Sequence, residues 1–176
     1  MSVQSLVFDL GPYISYLKEF TTDGAQSESP LLALFDKLAE QETDEVRKFR
    51  VELNQEKTRR MLGLLQVQDP SEIKRLLGLY LKYSKLDGKP EKGERKMADD
   101  FVLLINEALE DLNDEADRKK GQISEQDLFR IGLLEYALSL SPDNFDIQMS
   151  LLKIYDSLGI SLLFKQAHES LNMKGV

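Results

Sequence analysis

Apolar side chains recur every three or four positions in one segment after another, and no stretch alternates apolar and polar residues over the length of a strand between hairpin turns. That periodicity belongs to amphipathic helices, and it restricts the chain to an all-α fold. Eight segments carry it. The first, about 9–20, opens with Asp9 and Pro12, a cap and a first-turn proline, and sets Tyr13, Tyr16, Leu17 and Phe20 on one face. After a polar loop, 21–29, Ser29 and Pro30 open a second helix, about 30–41, with Leu31, Leu34, Phe35 and Leu38 expected inward. Thr43 opens a long third helix, about 43–66, whose wholly polar middle, Asn54 to Arg60, is expected to face water. Asp69 and Pro70 restart the chain, and Ile73, Leu76, Leu77, Leu79, Tyr80 and Tyr83 form the fourth helix.

Residues 87–97 form a surface loop or linker, because they combine Gly88 and Gly93 with Pro90 and a run of charged side chains. The fifth helix, about 98–113, begins with Asp99 and Asp100, whose charges suit the helix dipole. A second charged loop spans about 113–122. Ser124 and Asp127 then make a capping-box-like start to the sixth helix, about 125–140. Pro142 breaks the pattern, Asp143 or Asn144 restarts it, and Gly159 stops the seventh helix as a left-handed cap before the eighth, about 160–171. The expected organisation is N-terminal helical hairpins over 1–86, the charged loop at 87–97, and a C-terminal helical segment over 98–176.

The last fifty or so residues favour stacked hairpins over a closed bundle. Ala137 and Pro142 sit where a tetratricopeptide repeat ends, and Leu151, Tyr155 and Gly159 fit the first helix and turn of the next. Leu152 and Phe164 are bulky where small residues are usual, which implies wider helix spacing. A TPR-like α-solenoid segment is the expected architecture. Each hairpin of such a fold cannot bury its apolar face alone and stacks on its neighbours.

Chemistry-bearing residues are sparse. Without cysteine there can be no disulfide, thiolate metal site or Cys nucleophile, and the single histidine, His168, leaves no multi-histidine zinc site. His168 reads either as a packed or surface residue or as a lone base. Asp99 with Asp100, and Glu110 with Asp111, read either as acid/base or metal groups or as a solvated acidic face. Adjacent helical residues point about 100° apart, which argues for the face. Arg47, Lys48, Arg50, Lys57, Arg59 and Arg60 on one helix, and Arg118, Lys119 and Lys120 in a loop, read as intrahelical pairing or as a dock for a phosphate-rich surface such as RNA. The net charge of −8 opposes wrapping a duplex. No glycine-rich phosphate loop can be written, so no catalytic, cofactor-binding or metal residue is assigned and no cofactor is expected. No apolar run approaches the roughly 20 residues of a membrane span, and the first ten residues lack a targeting pattern, so the cytosol is the expected compartment.

Two stretches carry a resemblance. MADDFVLLINEALED at 97–111, and the run from Leu133 to Val176, resemble the non-catalytic, repeat-containing subunit of the NatB N-terminal acetyltransferase. In the second stretch Ala137, Leu138, Ser141, Pro142, Asn144, Leu151, Ile154, Tyr155, Leu158, Gly159, Ser170, Leu171, Asn172, Lys174 and Val176 match the family pattern, while Met173 replaces an isoleucine. The opening FDLGPYISYL is similar to a further family element. Members of that family are several times longer, so the resemblance implies an internal fragment or a short isoform. It also implies an α-solenoid scaffold around a GNAT-type catalytic partner that works at the ribosome. That partner, not this chain, would bind acetyl-CoA and acetylate N-termini beginning Met-Asp, Met-Glu, Met-Asn or Met-Gln. No membrane and no small-molecule substrate is implied for this chain. The alternatives are a generic TPR-like adaptor for a peptide or helix, and a helical enzyme using Asp99 or His168.

Overall fold

A computed structural model describes residues 30–65, 68–86, 88, 94–112 and 123–170, with the side chains of 30, 112 and 166–170 left out. The helix expected at 9–20, the Arg118–Lys120 patch and the His168 side chain lie outside the described residues. The described residues form seven helices and no strand: α1 (Pro30–Gln41), α2 (Glu45–Met61), α3 (Pro70–Tyr83), α4 (Asp99–Leu112), α5 (Glu125–Leu140), α6 (Phe145–Ser157) and α7 (Ser161–Ser170). The chain is all-α, and it divides into two compact units, Met1–Glu72 and Ile73–Val176.

In the first unit α1 packs on α2. Phe35 is buried, whereas Leu34 and Leu38, expected inward, are exposed. The apolar stripe of α1 is wider than the strip of it that is covered. Asp44, not Thr43, caps α2, because its carboxylate accepts from the Val46 and Arg47 amides, both at 2.9 Å. The helix ends at Met61 rather than near 66. Gly63 adopts φ +73°, and the amides of Gly63 and Leu64 return to the carbonyls of Arg60 and Arg59 in a Schellman closure.

The polar middle of α2 does not face water. Asn54, Glu56 and Thr58 are buried. At 100° per residue Phe49, Leu53 and Glu56 run along one side, and Val51, Asn54 and Thr58 along the opposite one, so α2 is covered on two flanks. The burial is tolerable because polar atoms on it are engaged. Thr58 Oγ1 donates to the Asn54 carbonyl at 2.8 Å, and Glu56 pairs with Arg59 at 3.3 Å. Arg59 also grips Glu72 through two contacts, 3.0 and 3.3 Å.

In the second unit α4 is the most enclosed helix. Phe101, Val102, Leu104, Ile105, Ala108 and Leu109 are all buried and span an arc of about 160° around its axis. Each full burial of such a side chain contributes on the order of 1.5–3 kcal/mol. Leu76, Tyr80 and Tyr83 form the buried stripe of α3, and Tyr83 stacks on Phe101 with ring centres 6.1 Å apart. Beyond α4 each helix packs on its sequence neighbour: α4 on α5, α5 on α6 and α6 on α7. Gly159, at φ +69°, closes α6 as Gly63 closes α2, with the Ile160 amide returning to the Tyr155 carbonyl at 2.9 Å.

Candidate functional site: a buried polar joint at the start of α4

The turn between α5 and α6 and the first residue of α4 meet in a buried polar cluster. Asn144 is the N-cap of α6; its side-chain oxygen accepts from the Asp146 and Ile147 amides at 3.1 and 3.2 Å. With that oxygen committed, the Asn144 Nδ2 group donates to Asp99 Oδ2 at 2.8 Å. Ser141 sits between them. Its oxygen accepts from the Lys96 amide at 3.3 Å, and its carbonyl accepts from the Asn144 amide at 3.1 Å. Asp99, Ser141 and Asn144 are all buried, Asp99 completely (0% exposed).

Burial pushes the Asp99 carboxyl above the ordinary carboxylate range, while hydrogen bonds from Ser141 and Asn144 and the nearby Lys96 pull the other way. Asp99 Oδ1 and the Tyr80 hydroxyl carry no hydrogen bond among the described residues. The Tyr80 hydroxyl is raised far above the usual phenol range, first by burial and then by the Asp99 and Tyr136 charges. The expectation that Asp99 belongs to a solvated acidic face is therefore overturned. A partner in the α5–α6 turn makes the start of α4 an interior position.

A second polar cluster holds the later half of α4. Arg130 of α5 is only 2% exposed. Its Nε donates to Asn106 Oδ1 at 2.9 Å, and its terminal nitrogens lie 3.6 Å from Glu110 and 3.8 Å from Asp127. Asp127 also closes the Ser124 capping box, with its amide 3.0 Å from Ser124 Oγ. One buried carboxylate thus starts a helix and helps neutralise a buried guanidinium. Reading the sequence finds neither Arg130 nor Asn106, since an arginine amid leucines gives no sign of facing inward.

The remaining sequence candidates are dispersed. Asp100 lies 3.6 Å from Arg95, which also reaches Asp146 at 2.7 Å, and Asp111 is exposed. Arg47 and Arg50 are exposed; Lys48, Lys57, Arg59 and Arg60 are partly covered, with Arg59 paired as above. Among the described residues no three His, Asp or Glu side chains are placed to hold a metal ion. What the arrangement does chemically is to fix helices against one another.

A family model described as the N-acetyltransferase B complex (NatB) non catalytic subunit matches residues 3–176. The chain belongs to this family. No curated protein and no solved structure matches it. As a non-catalytic NatB subunit the chain is not itself an enzyme; it has an auxiliary role in N-terminal acetylation, in a complex with a catalytic partner. No helix among the described residues is long and apolar enough to cross a membrane. In this NatB chain the two stretches that carry the sequence resemblance are joined through Asp99 of one and Ser141 and Asn144 of the other.

Proposed function

We propose that this chain is a TPR-like scaffold segment of the NatB auxiliary subunit, which positions a GNAT-type catalytic partner in the cytoplasm, close to the ribosome. On this reading the partner binds acetyl-CoA and acetylates nascent N-termini beginning Met-Asp, Met-Glu, Met-Asn or Met-Gln. The chain contributes shape and surface. Hairpins over 1–86 and 98–176, separated by the charged segment 87–97, are the structural divisions of that scaffold. The observation that carries the reading is the family match over residues 3–176. The neighbour-on-neighbour packing of α4 to α7 supports it, because helical-repeat scaffolds are held together by that order of contacts.

The test is co-expression with a GNAT-type NatB subunit, followed by acetylation of a Met-Asp peptide. Co-purification, and faster acetylation with the chain than without it, is the expected result. Failure to co-purify together with an unchanged acetylation rate overturns the proposal.

A further inference from the structure

The outward face of α5 combines three features, although one edge of it serves the fold through the Tyr136 ring, which meets the Tyr80 ring edge-on with centres 6.5 Å apart. Leu128, Phe129 and Tyr136 are 58%, 38% and 50% exposed. Leu128, position 132 and Tyr136 recur every four residues, a stripe about 12 Å long at 1.5 Å per residue. At its centre stands Gly132, in the middle of a helix where glycine costs stability, and a Cβ built there meets nothing within 4 Å among the described residues. The missing side chain therefore makes room for no neighbour among the described residues; it leaves a notch on the exposed face of the helix. Among the described residues the charges on this face are Glu125 and Glu135, both exposed, and Glu135 Oε1 also accepts from the Tyr155 hydroxyl at 2.7 Å. Arg130, the one basic residue of α5, is buried, and α4 contains no Lys or Arg.

We propose that this face docks a basic amphipathic helix of a partner protein, with one apolar side chain entering the notch over Gly132 and Lys or Arg side chains reaching Glu125 and Glu135. A helix-on-helix contact of this kind needs an apolar strip, a small residue at the closest approach and complementary charges, and all three are present. A second copy of this chain fits less well. An antiparallel pairing centred near position 130 would set Glu125 of each copy against Glu135 of the other. The proposal goes beyond the acetylation reading and does not depend on it, because its test contains no acetyltransferase.

The experiment measures anisotropy of a fluorescein-labelled Leu/Lys peptide of about 15 residues, long enough for a helix, against the full chain. A Leu/Glu peptide of the same pattern is the control. The Leu/Lys peptide is expected to bind, more weakly as salt rises from about 0.05 to about 0.3 M. Gly132→Leu, which fills the notch, and Leu128→Asp are each expected to weaken binding at least about tenfold while the circular dichroism stays helical. Gly132→Ala separates this role from a structural one: it is expected to raise Tm and lower affinity together. Equal binding of the Leu/Glu peptide, unchanged affinity in Gly132→Leu and Leu128→Asp, or a concentration-dependent dimer abolished by Leu128→Asp would each overturn the proposal.

Discussion

Replacing Asn144 separates two interactions that one side chain makes at once. Its oxygen caps α6 and its amide nitrogen holds the buried carboxylate of Asp99. Asn144→Ala removes both. Loss of the cap costs about 1 kcal/mol, and loss of a hydrogen bond to a buried charged acceptor costs about 1.5–3 kcal/mol, so a destabilisation of about 2.5–4 kcal/mol is expected. Asn144→Asp keeps the cap, because a carboxylate accepts from the same amides and favours a helix N-terminus. It places a second carboxylate where Asp99 Oδ2 had a donor, so most of the cost should remain at neutral pH. That cost should shrink in acid, where one carboxyl takes a proton and can donate to the other. Adding Asp99→Asn to Asn144→Asp restores a donor–acceptor pair with the polarity reversed, and the double variant should recover most of the lost stability. Urea unfolding followed by near-UV circular dichroism suits the test, since Tyr80, Tyr83, Tyr136 and Tyr155 all belong to the second unit and the chain has no Trp. If Asn144→Ala costs no more than an ordinary cap and the double variant shows no recovery, the Asn144–Asp99 hydrogen bond does not stabilise the joint.

The raised Asp99 pKa makes a signed prediction about pH. A carboxyl whose folded pKa exceeds its unfolded value contributes stability that is fully present below the unfolded pKa and is lost as pH rises through the folded one. Asp99→Asn should therefore flatten the fall in stability between about pH 4 and neutrality, which urea midpoints across that range will reveal. Arg130→Met should cost about 3–5 kcal/mol, because it removes the guanidinium that donates to the buried Asn106 and the cation beside the buried Asp127 carboxylate; thermal unfolding will measure it. Gly63→Ala and Gly159→Ala should each cost about 1–2 kcal/mol despite the open space around both positions, since φ is +73° and +69°. Denaturant midpoints check that cost, and unchanged midpoints would contradict the left-handed caps.

The fold was legible wherever a few adjacent residues decide the outcome. Pro30 does begin α1, Ser124 and Asp127 do form the capping box, and Gly159 does stop α6, because each depends on chemistry within a turn of the residue concerned. The same chemistry at Gly63 was hidden by Leu64 and Leu65, whose apolar character prolongs the helical pattern beyond the true end. Burial of polar groups was not legible. Asp99 sits in a locally acidic sequence, and what takes it inside is an asparagine 45 positions away. The polar run in α2 reads as a solvated face in isolation, yet two covered flanks and an ion pair to Glu72 place part of it indoors. Polarity reports exposure only when the number of neighbours is known, and that number is a property of the packed chain.

The two polar clusters also answer a question that the apolar core of α4 leaves open. Sliding α4 by one turn, 5.4 Å, would replace Phe101 by Ile105, Leu104 by Ala108 and Ile105 by Leu109, and apolar groups would still fill the core. Hydrophobic burial is non-directional and penalises that slip weakly. Asp99 with Asn144 and Arg130 with Asn106 penalise it strongly, because each of these buried hydrogen bonds joins α4 to another element and would be broken in the interior. A scaffold that presents surfaces at fixed spacing depends on register more than on stability alone. Asn144→Leu with Arg130→Met should therefore preserve helix content in far-UV circular dichroism while amide NMR signals of the second unit broaden or double. A single sharp set of signals from that variant would show that apolar packing alone sets the register.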